Sequence, residues 1–471
     1  MAKKTVLYQQ IANQLEHQIK VDVLRVGDKL PSLRTISLEK GVSMSTTIKA
    51  YFELESRGFI ESRPQSGYYV SYAHKHFRSI PATSQPVKAK IEDTTEDLIF
   101  TVATNIRTAK VELSSGVPSI ELLPVAKLNK AIVSATRTLK GAGLNYDKFG
   151  NSNFRKQIAL RSIMWGGSLK EEDIIQTSGC MEALSFCLLS LVEKGDTIVV
   201  ESPVYFGILH LAKSLGLHVI ELPTNPITGI EIDALKKVLQ TNTVKLCLLV
   251  SNFSNPLGSL MPDEHKQAVV KLIEHYNIPL IEDDLFGDLY FGKNRPTCCK
   301  TYDESGLVLV CASVSKTLAP GYRVGWVAPG KFKEKIARTK YYHSLYSTSV
   351  THEAIGRFLE NDRYENHLRK LRQTLHRNSL QFLRCISQYF PDDTKVTIPQ
   401  GGLHLWVELS KNTDTVELYN RAMANNISVA PGRMFTLQNQ YNNCLKLNCG
   451  LVWGEQVEDA LQLLGNLARI H

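Results

Sequence analysis

The sequence has 471 residues, of which 43% are hydrophobic and 21% are charged, and its formal net charge is +9. The length predicts two or three domains, and the composition excludes both a globally disordered chain and one too polar to form large cores. No apolar run is long enough to span a membrane and no signal peptide begins the chain, which predicts a cytoplasmic protein, while the positive charge permits an acidic partner.

The first 72 residues predict a separate unit of three helices and a β-hairpin. Apolar side chains recur at helical spacing over residues 8–21, and Ser32 is positioned to cap the helix that follows it. A third helix is predicted over residues 46–57, after a short turn. Two strands follow at 58–63 and 67–70, around a Pro-Gln-Ser-Gly turn. This order is typical of a winged helix-turn-helix, whose third helix enters the major groove of DNA.

The start of the third helix carries the side chains that this layout directs toward DNA. Small hydroxyl residues and one lysine are expected to lead it into the groove, namely Ser43, Ser45, Thr46, Thr47 and Lys49. A helical interaction module with solvated charges is the alternative. The turn and the wing together favour DNA binding.

Several motifs of this unit resemble the GntR family of bacterial transcription regulators. They are Leu-Pro-Ser-Leu-Arg at 30–34, Val-Ser-Met-Ser-Thr-Thr at 42–47 and Leu-Glu-Ser-Arg-Gly-Phe-Ile at 54–60, with Arg63 and Gly67 behind. The resemblance implies that the unit binds a double-stranded DNA operator. The residues that it implies as DNA contacts are Arg34, Thr46, Thr47, Lys49 and Arg63.

Residues 73–96 are predicted to be a flexible linker. They combine prolines, histidines, hydroxyl residues and mixed charges with few apolar side chains. A short helix is expected over 97–109, where a second domain begins that runs to residue 471. Its strands alternate with helices, which predicts an α/β fold with a mostly parallel sheet. A smaller C-terminal subdomain is expected from about residue 346.

The predicted strands of the second domain end in residues suited to holding a phosphorylated ring. The first stops at Ser178 and Gly179, where a helix begins whose exposed amides attract a phosphate. The next ends near Tyr205, whose ring suits stacking on an aromatic ligand. Two further strands end at Asn255 and Asp283, which offer an amide and a carboxylate to such a ligand.

A lysine between small hydroxyl residues completes this series. Lys316 follows a buried apolar strand at 307–311, and ligands gather beyond the carboxyl ends of parallel strands. Lysine becomes a nucleophile toward carbonyls when its surroundings lower its pKa, and pyridoxal 5'-phosphate (PLP) is a common partner. Ser313, Ser315 and Arg323 are placed to hold the phosphate of this cofactor. For the motif taken alone, the alternative is a surface loop with an ordinary lysine.

The order of these motifs resembles that of class I/II aminotransferases of PLP fold type I. The resemblance runs from about residue 113 to the C-terminus and includes Gly-Gly-Leu-His-Leu-Trp at 401–406 and Ala-Pro-Gly-Arg-Met-Phe at 430–435. It implies that PLP is the cofactor and that Lys316 forms the aldimine with it. The fold it implies is a mostly parallel α/β sheet domain with a smaller C-terminal subdomain.

The same resemblance implies roles for the other residues of the series. Asp283 pairs with the pyridine nitrogen, Asn255 bonds the phenolate oxygen and Tyr205 stacks on the ring. The phosphate is lined by Ser178, Gly179, Cys180, Ser313, Ser315 and Arg323, with Tyr146 reaching it from the neighbouring subunit.

A GntR-type head joined to an aminotransferase-like body is the organisation of the MocR subfamily, which the chain resembles over nearly its whole length. The resemblance implies a PLP-dependent regulator that forms a head-to-tail homodimer, each head lying against the other subunit's body. Our first hypothesis is that the body senses PLP, an amine or amino-acid effector, or both. An effector amine would displace Lys316 from PLP and shift the two heads on DNA.

Two residues depart from the aminotransferase pattern. Phe286 stands where these enzymes carry a tyrosine bonded to the phenolate oxygen. Lys446 stands where they carry an arginine that clamps the substrate carboxylate, so the charge is kept and the bidentate geometry is lost. Slow transamination is therefore predicted, with Lys446 as the candidate substrate-binding residue. An active aminotransferase with an appended DNA-binding domain is the alternative function, and a scaffold that ignores PLP is the third hypothesis.

The cysteines predict neither a disulfide scaffold nor a metal site. Nine are scattered along the chain, several of them within apolar stretches, and no Cys-x-x-Cys pair occurs. This usage is typical of reduced, buried thiols in a cytosolic protein.

Overall fold

The computed structural model describes residues 7–21, 23–63, 66–71, 78–86, 94–147, 150–360 and 363–469. Part of the turn predicted after residue 63 and part of the predicted linker lie outside these ranges. Within them, no helix combines the length and the apolar character needed to cross a bilayer. The described chain forms a small N-terminal unit, the head (residues 7–71), and a much larger body (residues 94–469).

The head contains the three helices and the antiparallel hairpin that the sequence predicts. Its elements are α1 (Leu7–Lys20), α2 (Leu33–Glu39), α3 (Met44–Ser56), β1 (Ile60–Arg63) and β2 (Gly67–Val70). Ile11, Leu15 and Leu54 are among the buried side chains of its core. Because one face of each helix is apolar, the helices pack on one another and on the hairpin.

Serine side chains set the beginnings of α2 and α3. The Ser32 hydroxyl accepts the Thr35 amide at 3.1 Å, as the sequence predicts. The third helix begins two residues earlier than predicted, at Met44. The reason is that Ser43 is extended and its hydroxyl accepts the Thr46 amide at 3.2 Å, which satisfies a helix-terminal donor.

The body alternates strands and helices over its first part and ends in a smaller subdomain. Its elements, in chain order, are α4 (Thr94–Asn105), β3 (Val111–Glu112), α5 (Val125–Thr138), α6 (Ser152–Arg161), β4 (Ile175–Thr177), α7 (Cys180–Leu191), β5 (Thr197–Ser202), α8 (Phe206–Ser214), β6 (His218–Asn225), β7 (Gly229–Ile230), α9 (Ile232–Thr241), β8 (Val244–Leu249), α10 (Asp263–Tyr276), β9 (Leu280–Asp283), β10 (Val308–Ser313), β11 (Gly325–Ala328), α11 (Lys333–Ser344), α12 (Ser349–Leu359), α13 (Arg363–Tyr389), β12 (Lys395–Val396), β13 (His404–Glu408), α14 (Thr415–Ala424), β14 (Ile427–Ser428), β15 (Ala430–Pro431), β16 (Cys444–Asn448) and α15 (Glu455–Leu467).

One large sheet organises the body. In the described chain it has eight strands in the order β4-β11-β10-β9-β8-β5-β6-β7. The neighbours from β10 through β9, β8 and β5 to β6 are parallel, whereas β4, β11 and β7 pair antiparallel. Ile198 and the adjacent Val199 are fully buried in different core clusters, so the sheet is covered on both faces. The predicted mostly parallel α/β fold is confirmed.

The smaller subdomain contains a second, antiparallel sheet of order β12-β13-β16-β15. The long helix α13 runs beside it and buries Leu371, Phe382 and Ile386 in the largest core cluster. Its sequence contains no proline or glycine, so nothing in it favours a kink. The C-terminal half of α13 also faces the head.

Residues 78–86, which the sequence assigns to a flexible linker, lie extended along the body. The Val396 amide donates to the Ser79 carbonyl at 3.0 Å, in the smaller subdomain. The Ser84 amide donates to the Thr224 carbonyl at 3.1 Å, and its hydroxyl donates to the Ser202 carbonyl at 2.5 Å, both in the large sheet. These hydrogen bonds attach the segment to both parts of the body.

Candidate functional site

The predicted cofactor residues meet at the carboxyl ends of β5, β8, β9 and β10. The structure has a cavity of about 320 Å³ there, the size of a small-molecule site. The predicted residues that line it are Cys180, Tyr205, Asn255, Asp283, Ser313, Ser315, Lys316, Arg323 and Lys446. The parallel strands bring them together because their carboxyl ends share one edge of the sheet.

Lys316 and Asp283 form the electrostatic centre of this cavity. Burial lowers the pKa of Lys316 to about 8, while the Asp283 carboxylate acts in the opposite direction. Burial raises the pKa of Asp283 to about 6, against a hydrogen bond from the Cys180 thiol. The Cys180 Sγ lies 3.4 Å from Asp283 Oδ1. A lysine with a lowered pKa supplies more neutral amine, which is the form that attacks a carbonyl.

Asp283 and its neighbour Asp284 have different partners. Asp284 forms an ion pair with Arg295 and accepts the Asn252 side-chain amide at 2.9 Å. Asp283 accepts the Cys180 thiol and a backbone amide, and no basic side chain of the described residues forms an ion pair with it. Of these two neighbouring carboxylates, Asp283 faces the cavity and is the one without an ion-pair partner among the described residues.

The opposite end of the cavity fits a phosphate. Gly179 has φ of 90°, and a Cβ there would lie 2.4 Å from Arg323 Nη2. The Arg323 guanidinium donates to the Ser178 carbonyl at 3.1 Å, and no carboxylate of the described residues pairs with it. The Ser315 hydroxyl is buried without a hydrogen-bond partner, and Ser313 lies beside it. An unpaired guanidinium, an unsatisfied hydroxyl and the first amides of α7 suit a phosphate.

Asn255, Tyr205 and Phe286 line the part of the cavity between these ends. The Asn255 Oδ1 is buried and has no hydrogen-bond partner in the described protein. The Phe286 ring centroid lies 5.9 Å from the Lys316 Nζ, and this side chain brings no hydroxyl. An unsatisfied buried amide of this kind fits a polar group on a bound ring.

Lys446 extends from β16 into the same cavity. Its Nζ donates to the carbonyls of Ser114 and Ser115, at 2.8 Å and 3.0 Å. Burial and the nearby charge of Lys316 lower the pKa of Lys446 to about 7. Ser114, Gly116 and Val117 also line the cavity, and the sequence analysis did not identify them. A Ser-Ser-Gly-Val-Pro stretch after a short strand is the signal that marks them.

Tyr146 lies outside this cavity. It is 72% exposed and its ring packs on Tyr346, with centroids 5.3 Å apart. Leu144, Tyr341 and Tyr342 are exposed as well. The predicted contact of Tyr146 with a neighbouring subunit's cofactor therefore stays a prediction.

The head places most of its predicted DNA contacts on its surface. Arg34, Ser45, Lys49 and Arg63 are exposed, and Thr46 is partly exposed. Arg63 forms an ion pair with Glu61 at 2.8 Å and lies over the Tyr69 ring.

Thr47 differs from the other predicted contacts. It is fully buried, and its hydroxyl is directed toward the Ser43 carbonyl at 3.5 Å. Because α3 begins at Met44, this position turns toward the head's core, and Thr47 cannot reach a DNA groove in this conformation.

The comparisons with protein families match both parts of the chain. Residues 7–70 match the bacterial regulatory proteins of the gntR family, and residues 108–464 match aminotransferase class I and II. The chain belongs to the GntR-type regulators with a class I and II aminotransferase domain. This organisation is that of the MocR subfamily, as the sequence motifs indicate.

Relatives of this MocR-type chain match most or nearly all of its length. It is 36% identical over 460 residues to the HTH-type transcriptional regulator YjiR of Escherichia coli (strain K12), covering 97% of this chain and 98% of the relative. It is 27% identical over 414 residues to the HTH-type transcriptional regulator NorG of Staphylococcus aureus (strain USA300), covering 86% and 92%. The two-domain organisation therefore recurs in these regulators.

Solved aminotransferases share the fold of the MocR-type body. A multiple substrate aminotransferase from Thermococcus profundus superimposes with a TM-score of 0.73 at 24% identity, covering 81% of this chain and 96% of that one. LysN, an α-aminoadipate aminotransferase from Thermus thermophilus, gives 0.73 at 24% identity, covering 80% and 95%.

The cavity of this MocR-type chain fits PLP. Its unsatisfied polar atoms, on Asn255 and Ser315, lie where a ring and a phosphate need partners. Arg323 and the start of α7 suit the phosphate, and Asp283 is an unpaired carboxylate for a protonated ring nitrogen. Lys316 offers a primary amine in the same cavity. Phe286 and Lys446 occupy the positions where the chain departs from the aminotransferase pattern.

Proposed function

We propose that this chain is a transcription regulator that binds double-stranded DNA through its head and binds PLP, an amine or amino-acid effector, or both, in its body. The observation that carries the proposal is the combination of an exposed α3 start with a cavity in which Lys316 faces an unpaired Asp283. Membership of a family with this domain pair supports it. The cytoplasmic location predicted from the sequence belongs to the same proposal.

The aldehyde of PLP reacts with amines, and this is the chemistry that the cofactor supplies when bound. Lys316 provides a primary amine that is neutral in a large fraction of molecules near pH 8. Asp283, Asn255 and Tyr205 orient the ring, while Arg323 and the α7 amides hold the phosphate. Among the described residues that line the cavity, Lys446 is the one basic side chain besides Lys316 and Arg323. An effector's carboxylate beside it would favour its protonated form, which makes Lys446 the candidate partner for that group.

An active aminotransferase with an appended DNA-binding domain is the second candidate function. The presence of Lys316, Asp283 and Asn255 in one cavity favours it. Phe286 and Lys446 oppose it, because the first lacks a hydroxyl and the second is already bonded to two backbone carbonyls. Positioning of the reacting bond has a large effect on rate, so a weaker carboxylate contact slows turnover more than ligand binding.

Absorbance and DNA binding of the full chain test the proposal together. PLP should give a visible absorbance band with the wild-type protein, and Lys316→Ala should abolish it while Lys335→Ala, at an exposed lysine, retains it. DNA duplexes selected from genomic fragments should bind with steep salt dependence, which Arg34→Ala weakens for every sequence. A full chain without salt-sensitive DNA binding would contradict the regulator function, and rapid turnover of common amino acids would favour the enzyme.

A homodimer in head-to-tail arrangement is part of the proposal. In the single chain described, the head lies against α13 of its own body. A short bis-maleimide reagent with Glu61→Cys and Gln381→Cys distinguishes the two arrangements, because the chain's nine native cysteines are all buried. Cross-linked dimers on a denaturing gel support head-to-tail packing, and cross-links confined to one chain contradict it.

A further inference from the structure

Three large apolar side chains form an exposed row along α3. Met44, Ile48 and Phe52 are 41%, 46% and 47% exposed, although the same helix buries other apolar side chains in the head's core. Residues four apart are neighbours on one face of a helix, so the three side chains follow one another along a line. At 1.5 Å per residue the row is roughly 12 Å long. Contiguous apolar surface of this kind indicates a contact with another molecule.

The first two members of the row lie on the side of α3 that is next to the wing. The buried Tyr51 packs edge-on against Tyr68 of β2, with ring centroids 5.0 Å apart, and the Glu55 carboxylate accepts a backbone amide of β1 at 3.1 Å. Met44 and Ile48 precede Tyr51 at the three- and four-residue spacing that places side chains on one side of a helix. A DNA duplex that contacts both α3 and the wing therefore passes over these two side chains.

The charges on the neighbouring elements favour DNA as the partner of the row. Arg34, Lys49 and Arg63 are exposed on α2, α3 and the wing. The two carboxylates of α3, Glu53 and Glu55, already have partners within the head. Positive charge beside an apolar row complements a groove whose edges are phosphates and whose floor is formed by base edges.

The sequence of α3 offers few side chains that recognise bases by hydrogen bonds. Asn, Gln and Arg, which pair bidentately with adenine or guanine, are absent from residues 44–56. Lys49 and the hydroxyls of Ser45 and Thr46 are the polar groups at the start of the helix that are at least partly exposed. The apolar surface of Met44 and Ile48 would be left unmatched by a polar base edge. The apolar group that a base presents in the major groove is the 5-methyl group of thymine.

We propose that Met44 and Ile48 recognise thymine in the operator by packing against its 5-methyl group. This inference rests on the proposed function, because it requires that the head binds double-stranded DNA, and it adds the base that α3 prefers. The two residues are one helical turn apart, about 6 Å, which is close to two base-pair steps. We therefore expect the two recognised thymines to lie within about three base pairs of each other.

Uracil in place of thymine tests this contact, because it removes the 5-methyl group and keeps the base pairing. The full-length protein is first used to select a binding duplex from genomic fragments. Each thymine of the bound site is then replaced singly by uracil, and the affinity is measured again. Loss of one buried methyl group should weaken binding about fourfold at the recognised positions. Replacement at the other positions should change the affinity less than about 1.5-fold.

Variants of the row assign the contact to individual side chains. Met44→Ala and Ile48→Ala should each make binding insensitive to uracil at one position, as expected when two groups interact directly. Phe52→Ala is the matched control, because this side chain lies one turn further from the residues at the helix start that contact base edges. It should keep the full uracil effect. Since all three side chains are exposed, thermal unfolding of the variants should resemble that of the wild type.

The outcomes separate this inference from the proposed function. A wild-type protein that binds the thymine and uracil duplexes equally at every position would overturn the inference and leave the proposed function intact. A selected site without thymine would do the same, and so would alanine variants that keep the full uracil effect. If Met44→Ala and Ile48→Ala instead lower the mass measured by light scattering and leave DNA affinity unchanged, the row is a protein contact and the inference is wrong. A chain that binds no DNA would overturn both.

Discussion

Two groups of charges lie close together in the body, and they differ in how their charge is compensated. In the first, here the paired cluster, Asp284 and Asp288 bind Arg295, and Arg161 lies 3.2 Å from Asp288. In the second, the cavity, Asp283 and the basic side chains form no ion pair within the described residues. The two environments meet at adjacent residues of the chain, since Asp283 faces the cavity and Asp284 belongs to the paired cluster.

The difference shows how to recognise a ligand site among buried charges. Burial alone would raise the pKa of Asp288, yet Arg161 and Arg295 lower it well below its ordinary value. Burial raises the pKa of Asp283 to about 6, and no guanidinium reverses this. A buried charge with a partner has its desolvation cost offset, so removing that partner is destabilising. A buried charge without a partner destabilises the ligand-free protein and is available to a ligand.

The largest effect is expected from breaking the paired cluster. Arg295→Ala leaves two buried carboxylates without their shared cation, which should lower the free energy of unfolding by about 3–5 kcal/mol. Urea unfolding of the PLP-free protein measures this, with Arg338→Ala at an exposed position as the control. A loss equal to that of the control would mean that the cluster is not stabilising. Since the pKa of Asp288 is lowered, its contribution is present above the unfolded pKa and fades as the pH falls.

Replacing the unpaired carboxylate of the cavity should have the opposite effect and increase the free energy of unfolding. Asp283→Asn should raise the free energy of unfolding of the PLP-free protein by about 2–3 kcal/mol at pH 8. The folded pKa of Asp283, about 6, lies above its ordinary value, so the wild type loses stability as the pH rises from about 4 to 6. The variant should therefore gain most above pH 6 and bind PLP more weakly. Equal stability of variant and wild type at pH 5 and pH 8 would exclude an uncompensated carboxylate.

Replacing Phe286 and Lys446 with the residues that aminotransferases carry there should increase the rate of transamination. Phe286→Tyr with Lys446→Arg should increase conversion of an amino acid to its oxo acid about tenfold, which is about 1.4 kcal/mol of barrier. Single-turnover measurement of the oxo acid product checks it, with each single variant as a comparison. If the double variant is no faster than the wild type, these positions do not limit turnover.

The smallest effect is the pH dependence of PLP binding. With a pKa of about 8, Lys316 is mostly protonated at pH 7 and half neutral at pH 8. The rate of PLP binding should therefore rise about fivefold between these values and level off above pH 9. Stopped-flow absorbance measures it. A rate that stays flat from pH 7 to 9 would show that deprotonation of Lys316 does not control binding.

Much of the fold and of the cavity could be predicted, because the order of the strand-end motifs along the sequence indicates which residues meet. Strand ends at Gly179, Asn255, Asp283 and Lys316 could be placed on one sheet edge once the strands were taken as parallel. The sequence predicts that α3 begins at Thr46, two residues after its actual start at Met44. The Ser43 side chain caps the helix there, which the spacing of apolar residues does not indicate.

The paired cluster and the contacts of α13 could not be predicted, because they depend on three-dimensional proximity. Arg295 lies in a segment without regular periodicity, and nothing in its neighbours indicates Asp288 as a partner. The His367 Nε2 donates to the Thr317 carbonyl at 2.6 Å. The two residues are far apart in sequence, and a histidine on an amphipathic helix carries no sign of a backbone partner. Thr47 was assigned to DNA by a motif that does not resolve which face of α3 each position occupies.

The attachment of residues 78–86 determines where the body can be cut as an independent unit. Arg78 donates to the carbonyls of Ser387 and Asp392, at 2.9 Å and 2.7 Å, and so satisfies acceptors at the end of α13. A shortened protein that begins at Asp97, the predicted domain start, lacks this arginine and the Ser84 bonds. In that shortened protein we expect the last turn of α13 to be less stable. The Ser202 and Thr224 carbonyls would lose the hydrogen bonds from Ser84 and bond water instead. We therefore expect a body that begins at Arg78, within the segment that the sequence assigns to the linker, to be more stable than one that begins at Asp97.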